Sequence, residues 1–259
     1  MLVVIFAVAS AIAQTEATNA QLKQYIADLH SNVTAKRVTA LKSLAELGPA
    51  ARDEAGARVA QAMMDPDKSV RLAAQDALEK IDPVIAKECL TLLVDHSHQQ
   101  PALAAIKASG PEQGKVAVPI LLALMNKPDA VSPRSRKTPS SGPFRAEIVE
   151  VLALIASDDP KMASHFYQWM LSSDRRVQAA AISGMPHIQH IDNYGPVVMR
   201  LCQLLRTNDP NIRYLAARAI GDFGSHASSA EKTLRLATSD PDKRVREEAT
   251  AALEKIKAN

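Results

Sequence analysis

Aromatic residues and cysteines are scarce in this chain of 259 residues. Aromatic side chains make up only 3% of the sequence, although apolar side chains make up 47%. Alanine and leucine supply most of the apolar surface, and such small or unbranched side chains suit the packing of helix on helix better than a β-sandwich core. The composition therefore favours an all-α protein.

The two cysteines do not predict a disulfide framework. Cys89 and Cys202 lie far apart, each within an apolar helical stretch. Free cysteine behaves as a small buried hydrophobe. A disulfide would require the two helices to touch, so we expect both thiols to be free.

A large charge of one sign is also missing. The chain has 31 basic and 28 acidic side chains, a net charge of +3, with the small surplus in residues 128–259. This charge is too mild to indicate binding to nucleic acid or to an anionic membrane. No run of about 20 apolar residues occurs, so the sequence also excludes a polytopic membrane protein.

The N-terminus carries a short apolar run over residues 2–13. It is too short to span a bilayer, but it has the length of a signal-peptide core, and Ala11-Ile12-Ala13 resembles a cleavage site. No Lys or Arg precedes the run, and a buried N-terminal helix is the alternative. We expect a signal peptide over residues 1–13, export to the periplasm or the cell exterior, and a single domain over residues 14–259.

One phrase recurs along the chain and predicts its architecture. Asp65-Pro66-Asp67 and Asp240-Pro241-Asp242 each precede a helix with one apolar stripe, and a fixed period is typical of stacked repeats. The apolar spacing predicts about seven antiparallel helical hairpins, which share a continuous core when they stack. The first large apolar positions of the second helices are Val38, Val70, His98, Phe144, Val177, Ile212 and Val245.

Polar residues flank these positions in a regular way. Three residues earlier stands a residue whose side-chain oxygen can cap a helix N-terminus. One residue later, several repeats have an arginine. The predicted caps include Asp67, Asp174, Asp209 and Asp242, and the arginines are Arg71, Arg145, Arg213 and Arg246.

The phrases at residues 65–78, 209–221 and 240–253 resemble HEAT repeats, most closely the short PBS-lyase HEAT-like variant. The resemblance covers about residues 20–257 and implies a right-handed α-solenoid, a HEAT-like superhelix, whose second helices line the concave side. It also implies that the turn aspartates and Arg71, Arg213 and Arg246 form a structural ladder between repeats. A basic row facing a ligand is the alternative for these arginines.

Motifs for catalysis are missing. The sequence has no Gly-x-Ser-x-Gly elbow, Walker loop or dinucleotide-binding glycine motif. It also lacks the His-Glu dipeptides of the HEAT-like di-iron hydroxylases. The histidine groups, His187 and His190 with Asp192, and separately His96 and His98, are too few and too scattered for a metal site. We predict no catalytic residue, metal or cofactor; the alternative is an enzyme or cofactor-binding protein, for example bilin lyase-like, with an unrecognised concave site.

Two features interrupt the repeat. Residues 127–143 contain four prolines and four serines without apolar periodicity, which predicts an inserted loop. The following repeat has the only tryptophan, with Phe166, Trp169 and Met170 spaced as core residues and Tyr167 pointing elsewhere. We predict a monomeric, non-enzymatic scaffold that binds a protein or peptide, and a solvated loop without a partner is the alternative. The candidate partner-binding residues are Arg134, Arg136, Lys137, Arg145 and Tyr167.

Overall fold

A computed structural model describes residues 20–94, 99–126 and 141–257. Helices are the only regular elements within these residues, so the predicted all-α fold class is confirmed. The chain divides into two compact units, Met1–Asn126 and Lys127–Asn259, which we call unit 1 and unit 2. Across the described ranges, no helix combines the length and the apolar character needed to cross a membrane.

Unit 1 contains helical hairpins, as the repeat pattern predicts. Helix α2 packs along α4, and α3 packs on both α4 and α7. The helices of this unit are α1 (residues 20–28), α2 (Thr34–Leu47), α3 (Arg52–Ala62), α4 (Lys68–Ile81), α5 (Pro83–Val94), α6 (Gln99–Gly114) and α7 (Val118–Asn126).

The packing of α7 departs from a regular stack. In an ideal repeat array each hairpin touches only its neighbours, yet α7 lies against α3, two hairpins earlier, as well as α5. Gly56 of α3 makes this approach possible, because a Cβ atom there would lie 3.0 Å from Cγ2 of Val116, just before α7. The irregular third hairpin, α5 with α6, thus coincides with the weakest match to the repeat pattern.

Unit 2 is more regular. The second helices of its hairpins pack in succession, α8 on α10, α10 on α12, and α12 on α14. The helices of this unit are α8 (Ser141–Ile155), α9 (Met162–Trp169), α10 (Arg175–Gly184), α11 (Tyr194–Leu204), α12 (Pro210–Asp222), α13 (Glu231–Ala237) and α14 (Lys243–Lys257).

Contacts at both ends of α12 and α14 fix their relative direction. Arg213, near the start of α12, pairs with Asp240 just before α14. Asp222, at the end of α12, accepts a hydrogen bond from Lys255 near the end of α14 at 2.8 Å. The two second helices therefore run in the same direction, with the turns that precede them on the same edge of the unit.

The core of unit 2 agrees with the predicted apolar positions, with one difference. Met162, Phe166 and Met170 are fully buried. Trp169 is only half-buried, and its ring stacks on His165 with centroids 5.7 Å apart. Both cysteines are free, Cys89 buried in α5 and Cys202 half-buried in α11.

Candidate functional site

The aspartates of the recurring phrase serve the helix N-termini. Each accepts a hydrogen bond from the backbone N–H two residues later, which satisfies a donor of the first turn and places negative charge at the positive end of the helix. The four bonds are Ser69 N–H to Asp67 at 2.8 Å, Arg176 N–H to Asp174 at 2.8 Å, Asn211 N–H to Asp209 at 2.9 Å, and Arg244 N–H to Asp242 at 2.8 Å.

The arginines of the phrase share one local contact. Each donates from Nη1 to the carbonyl oxygen six residues earlier, in the turn before its own helix. The bonds are Arg71 to Asp65 at 2.8 Å, Arg213 to Thr207 at 2.9 Å, and Arg246 to Asp240 at 2.7 Å.

A fourth arginine, Arg37, makes the same contact with the carbonyl of Ser31 at 2.9 Å. Arg37 therefore corresponds to Arg71 and Arg213, and Lys36, not Val38, corresponds to Val70 and Ile212. The predicted register of the first repeat was wrong by two residues. The reason is local: α2 has Val33 at its N-cap, with no side-chain cap bond. Without an acidic cap, no residue in the sequence marks the start of this helix.

Two of these arginines link neighbouring hairpins. Arg213 pairs with Asp240, and Arg37 pairs with Asp65 through Nη2 to Oδ1 and Nε to Oδ2, both at 3.0 Å. Arg71 and Arg246 differ from the expected ladder. Their second bonds go to Pro66 and Pro241 of their own turns, at 2.8 and 3.0 Å. Among the described residues, the hydrogen bonds of these two guanidinium groups go to carbonyl oxygens; the turn after α5, residues 95–98, lies outside the described ranges.

Gln178 occupies the arginine position in the repeat of α9 and α10. Its side chain is buried, donates to the carbonyl of Met170 at 3.0 Å, and accepts from Arg175 at 2.9 Å. Arg200 of α11 donates to the same carbonyl at 3.3 Å. This shared acceptor links the α9 turn to the next hairpin without an ion pair.

The turns of unit 2 also expose basic side chains. We call the five residues Arg175, Arg176, Arg206, Lys243 and Arg244 the basic turn edge; all are exposed, and they lie in the first turns of α10 and α14 or in the turn before α12. Lys243 lies 3.5 Å from Glu247, and Arg244 lies 3.1 Å from Asp242. In the described part of the chain, no acidic side chain pairs with Arg175, Arg176 or Arg206.

The aspartates beside this edge are engaged in contacts within the fold. Asp174, Asp209 and Asp242 bond to backbone N–H groups, and Asp240 pairs with Arg213. The hydrogen bonds from Arg213 hold the pKa of Asp240 below its usual range, so its charge is both present and compensated. The acidic charge of the turns is therefore used within the fold, while much of the basic charge faces solvent.

The exposed face of α12 and α14 has a different charge pattern. Asp222 pairs with Lys255 at 2.8 Å and lies 3.9 Å from Arg218 of its own helix. Opposite charges here compensate one another on the surface. This face does not favour a partner of either sign, in contrast to the basic turn edge.

The predicted partner-binding residues are only partly covered by the structure. Arg134, Arg136 and Lys137 lie outside the described residues. Arg145 is half-buried in α8, and Tyr167 is half-buried in α9. The insert predicted over residues 127–143 ends earlier than expected, because α8 begins at Ser141 and includes Pro143 in its first turn, where proline is tolerated.

The sequence did not identify the basic turn edge as a site. Its only local signal is a pair of basic residues after each cap, as in Asp174-Arg175-Arg176 and Asp242-Lys243-Arg244. Such pairs are common on solvated surfaces. The distinguishing feature is that the neighbouring acids are already occupied, and that depends on the folded turns.

Metal-binding residues do not converge in the described ranges. His187, His190 and Asp192 are exposed in the segment after α10. Across residues 20–94, 99–126 and 141–257, no three or more His, Cys, Asp or Glu side chains are arranged to hold a metal ion. His96 and His98 lie outside these ranges.

A comparison with protein families matches residues 198–259 to a model described as HEAT repeats. This match contains α12, α13 and α14, including the Arg213–Asp240 pair. It supports the general HEAT-like resemblance of the C-terminal repeats and does not single out the PBS-lyase variant. No match was found among curated proteins.

Several solved structures of engineered or designed proteins are similar to this chain at low identity. One engineered protein is 20% identical with a TM-score of 0.47, over 91% of this chain and 68% of the other. A designed armadillo repeat protein is 16% identical with a TM-score of 0.41, over 91% and 99% of the two chains. Another, solved in complex with the peptide (KR)4, is 18% identical with a TM-score of 0.43, over 91% and 99%.

Proposed function

We propose that this protein is a binding module whose helical hairpins hold an acidic, extended segment of a protein partner. The observation that carries the proposal is the basic turn edge of unit 2. Arg175 and Arg176 at the start of α10, and Arg206 in the turn before α12, have no acidic partner among the described residues. An approaching carboxylate would find guanidinium groups that have no ion-pair partner among the described residues, while the turn aspartates are held by hydrogen bonds within the fold.

The spacing of the turns suits an extended chain. Packed helices lie about 8–10 Å apart, so neighbouring turns are separated by a similar distance. A peptide in the extended polyproline II conformation has three residues per turn and advances about 3.1 Å per residue. Every third residue then lies on the same face of the peptide, about 9 Å from the next. The complementary sequence therefore has acidic residues at positions i, i+3 and i+6.

The electrostatic contribution is modest and depends on salt. An exposed ion pair contributes about 0.2–1 kcal/mol. Three such pairs would supply roughly 0.6–3 kcal/mol, enough to select among peptides but not to hold one tightly. Since exposed charges are screened by salt, we expect affinity to fall as the salt concentration rises.

The test uses two labelled peptides of the same composition, one with glutamates at every third position and one with the glutamates adjacent. Binding to the full chain is measured by fluorescence anisotropy at low and high salt. We expect the spaced peptide to bind more tightly. The double variant Arg176→Glu, Arg206→Glu should weaken its binding about tenfold or more.

The matched control is the double variant Lys161→Glu, Lys232→Glu, which makes the same change in net charge at exposed residues outside the edge. It should bind the spaced peptide almost as well as the wild type. If the two double variants lost the same amount of peptide affinity, net charge and not the basic turn edge would account for binding. Absence of binding even at low salt would contradict the proposal.

The sequence-based hypothesis for Arg134, Arg136, Lys137, Arg145 and Tyr167 remains part of this proposal. The basic residues of the insert would add positive charge for the same acidic partner. A triple variant, Arg134→Ala, Arg136→Ala and Lys137→Ala, should weaken binding of the spaced peptide. An unchanged affinity would remove the insert from the binding site and leave the basic turn edge as the proposed surface.

Export also remains a proposal, because residues 1–13 lie outside the described part of the chain. It is supported by the apolar run and by the Ala11-Ile12-Ala13 site. Mass spectrometry of the protein from its native cells should find a mature chain that begins at Gln14. Recovery of only the uncleaved chain would contradict cleavage at this site.

A further inference from the structure

A cavity of about 390 Å³ opens beside α3 in unit 1. It exists because α7 packs on α3, which brings Ala123 of α7 opposite residues of α3 and of the segment after α1. We call it the α3 cavity. Its volume lies in the range of sites that hold small molecules.

Three side chains of the α3 cavity carry hydrogen-bond donors. Nη1 of Arg58 lies 3.2 Å from Nε2 of His30. Gln61, which also lines the cavity, follows Arg58 by three residues on α3 and therefore lies on the same side of the helix. Both Arg58 and His30 are exposed, so a ligand can reach them from solvent.

The acidic residue that lines the α3 cavity does not compensate Arg58. Oδ1 of Asp65 accepts from Arg37 at 3.0 Å and from the backbone N–H of Asp67 at 2.8 Å. Its Oδ2 lies 3.0 Å from Nε of Arg37. With this carboxylate occupied, the cavity presents a guanidinium whose side-chain contact, within the described residues, is with His30 and not with a carboxylate.

A second cavity in unit 1, of about 370 Å³, shows the contrasting case. It is lined by Arg52 and Lys115 together with Asp53 and Glu112. Arg52 pairs with Asp53 at 3.2 Å. Basic and acidic groups are balanced here, so this cavity is an internal comparison for charge selectivity.

We infer that the α3 cavity binds a small carboxylate with a short apolar tail. The carboxylate accepts hydrogen bonds from Arg58 and Gln61 beside His30, and the tail lies on Leu29, Met64 and Ala123. A guanidinium can give a carboxylate two parallel hydrogen bonds, and such charge-assisted bonds are stronger than neutral ones. This site is separate from the basic turn edge and does not depend on peptide binding there.

The experiment is an NMR titration of the isotopically labelled full chain with butyrate, inorganic phosphate and butyramide, the neutral analogue of butyrate. We expect saturable shifts at the side chains of Arg58, His30 and Gln61 with butyrate. Phosphate, which has no tail, should bind more weakly at the same residues, and butyramide should cause no saturable shift. The variant Arg58→Gln should weaken butyrate binding about tenfold or more.

The matched control is Arg52→Gln, in the second cavity, which should bind butyrate as the wild type does. Equal binding of butyramide and butyrate would overturn the inference, since charge would then not matter. Unchanged affinity in Arg58→Gln would overturn it as well. Chemical-shift changes that grow without saturation at many surface lysines and arginines would also overturn the inference. Circular dichroism checks that each variant keeps its helical content.

The same chemistry could be supplied by an acidic side chain of a bound peptide. The spaced acidic peptide separates the two sources. We infer that the α3 cavity binds the small carboxylate and not a glutamate side chain of the peptide. We therefore expect Arg58→Gln to lower the affinity for butyrate and to leave the affinity for the peptide unchanged. Loss of peptide affinity with unchanged butyrate affinity would overturn the inference.

Discussion

Arg213 and Asp240, 27 residues apart in sequence, form a bidentate ion pair between neighbouring hairpins. Nε donates to Oδ2 and Nη2 donates to Oδ1, each at 2.8 Å. Nη1 donates to the carbonyl of Thr207, so the guanidinium joins its own turn to the next one. The two side chains are only 11% and 9% exposed. The pair therefore fixes the register of α12 against α14 from a site largely shielded from water.

This pair should be energetically coupled. We expect a double-mutant cycle with Arg213→Ala and Asp240→Ala to give a coupling energy of about 1–2 kcal/mol, because both bonds are charge-assisted and poorly solvated. Urea denaturation of the four proteins measures it. Arg213→Lys should lose most of the stabilisation, since an ammonium cannot reproduce two parallel bonds.

The Arg244–Asp242 pair provides the comparison for that cycle. Its side chains are 57% and 23% exposed and belong to one turn. We expect no measurable coupling between them. Coupling of equal size in the two pairs would contradict the importance that we assign to shielding and to the link between hairpins.

Stability should also depend on pH through Asp240. The hydrogen bonds from Arg213, helped by the backbone N–H of Asp242, lower the pKa of this carboxyl in the folded protein. A group with a lowered folded pKa stabilises the fold above its unfolded pKa, about 3.9 for aspartate. That stabilisation is lost as the pH falls through the folded pKa.

To test this, the free energy of unfolding is measured between about pH 6 and pH 2 for the wild type and for Asp240→Asn. We expect the variant to be less stable at neutral pH and to lose less stability on acidification. If both proteins lost the same stability over this range, Asp240 would not be a source of the acid dependence.

The turns and caps were accessible from the sequence because they are local. Asp67 and Asp242 reach donors only two residues away, so their neighbours in sequence determine the contact. The ladder is not local. Arg71 and Arg213 follow similar phrases, yet Arg213 pairs with an aspartate of the next hairpin, whereas within the described residues Arg71 bonds to carbonyl oxygens of its own turn. A partner 27 residues away, such as Asp240 for Arg213, cannot be identified from the local phrase.

The candidate sites depend on the same kind of non-local information. Arg206 is an unremarkable surface residue in the sequence, and it becomes part of a basic edge because acids in the turns are occupied. The α3 cavity depends on the approach of α7 to α3, which periodicity does not reveal. Gly56 hints at a close contact, but its partner, Val116, is identified only by the fold.

Gly184 should not tolerate a side chain. It lies in α10, and a Cβ atom there would collide with Cε1 of Phe166 and lie 3.0 Å from Cβ of Ala153. Phe166 is fully buried and cannot move aside without disturbing the core. We expect Gly184→Ala to lower the free energy of unfolding by about 1–3 kcal/mol, although alanine is ordinarily favoured over glycine in a helix.

The neighbouring exposed position supplies the control for Gly184. Ser183→Ala should change the stability little, since its side chain faces solvent. Adding Phe166→Leu to Gly184→Ala should recover part of the loss by making room for the new methyl group. A Gly184→Ala protein as stable as the wild type in urea denaturation would show that the core yields more easily than the contacts indicate.

Cys89 should be inert toward thiol reagents in the folded protein. Burial, with smaller contributions from Asp82 and Glu88, raises the pKa of its thiol to about 12. Because the thiolate is the reactive form, almost none is present near neutral pH. The side chain is also inaccessible to a reagent.

Cys202→Ser leaves Cys89 as the single thiol and isolates this prediction. The variant should not react with an aromatic disulfide reagent until urea unfolds it. The reciprocal variant, Cys89→Ser, should react slowly when folded, because Cys202 is half-buried and burial raises its pKa as well. Rapid reaction of folded Cys202→Ser would mean that α5 opens readily. The irregular third hairpin would then be a weakly stable part of unit 1, since exposure of Cys89 requires α5 to separate from the helices around it.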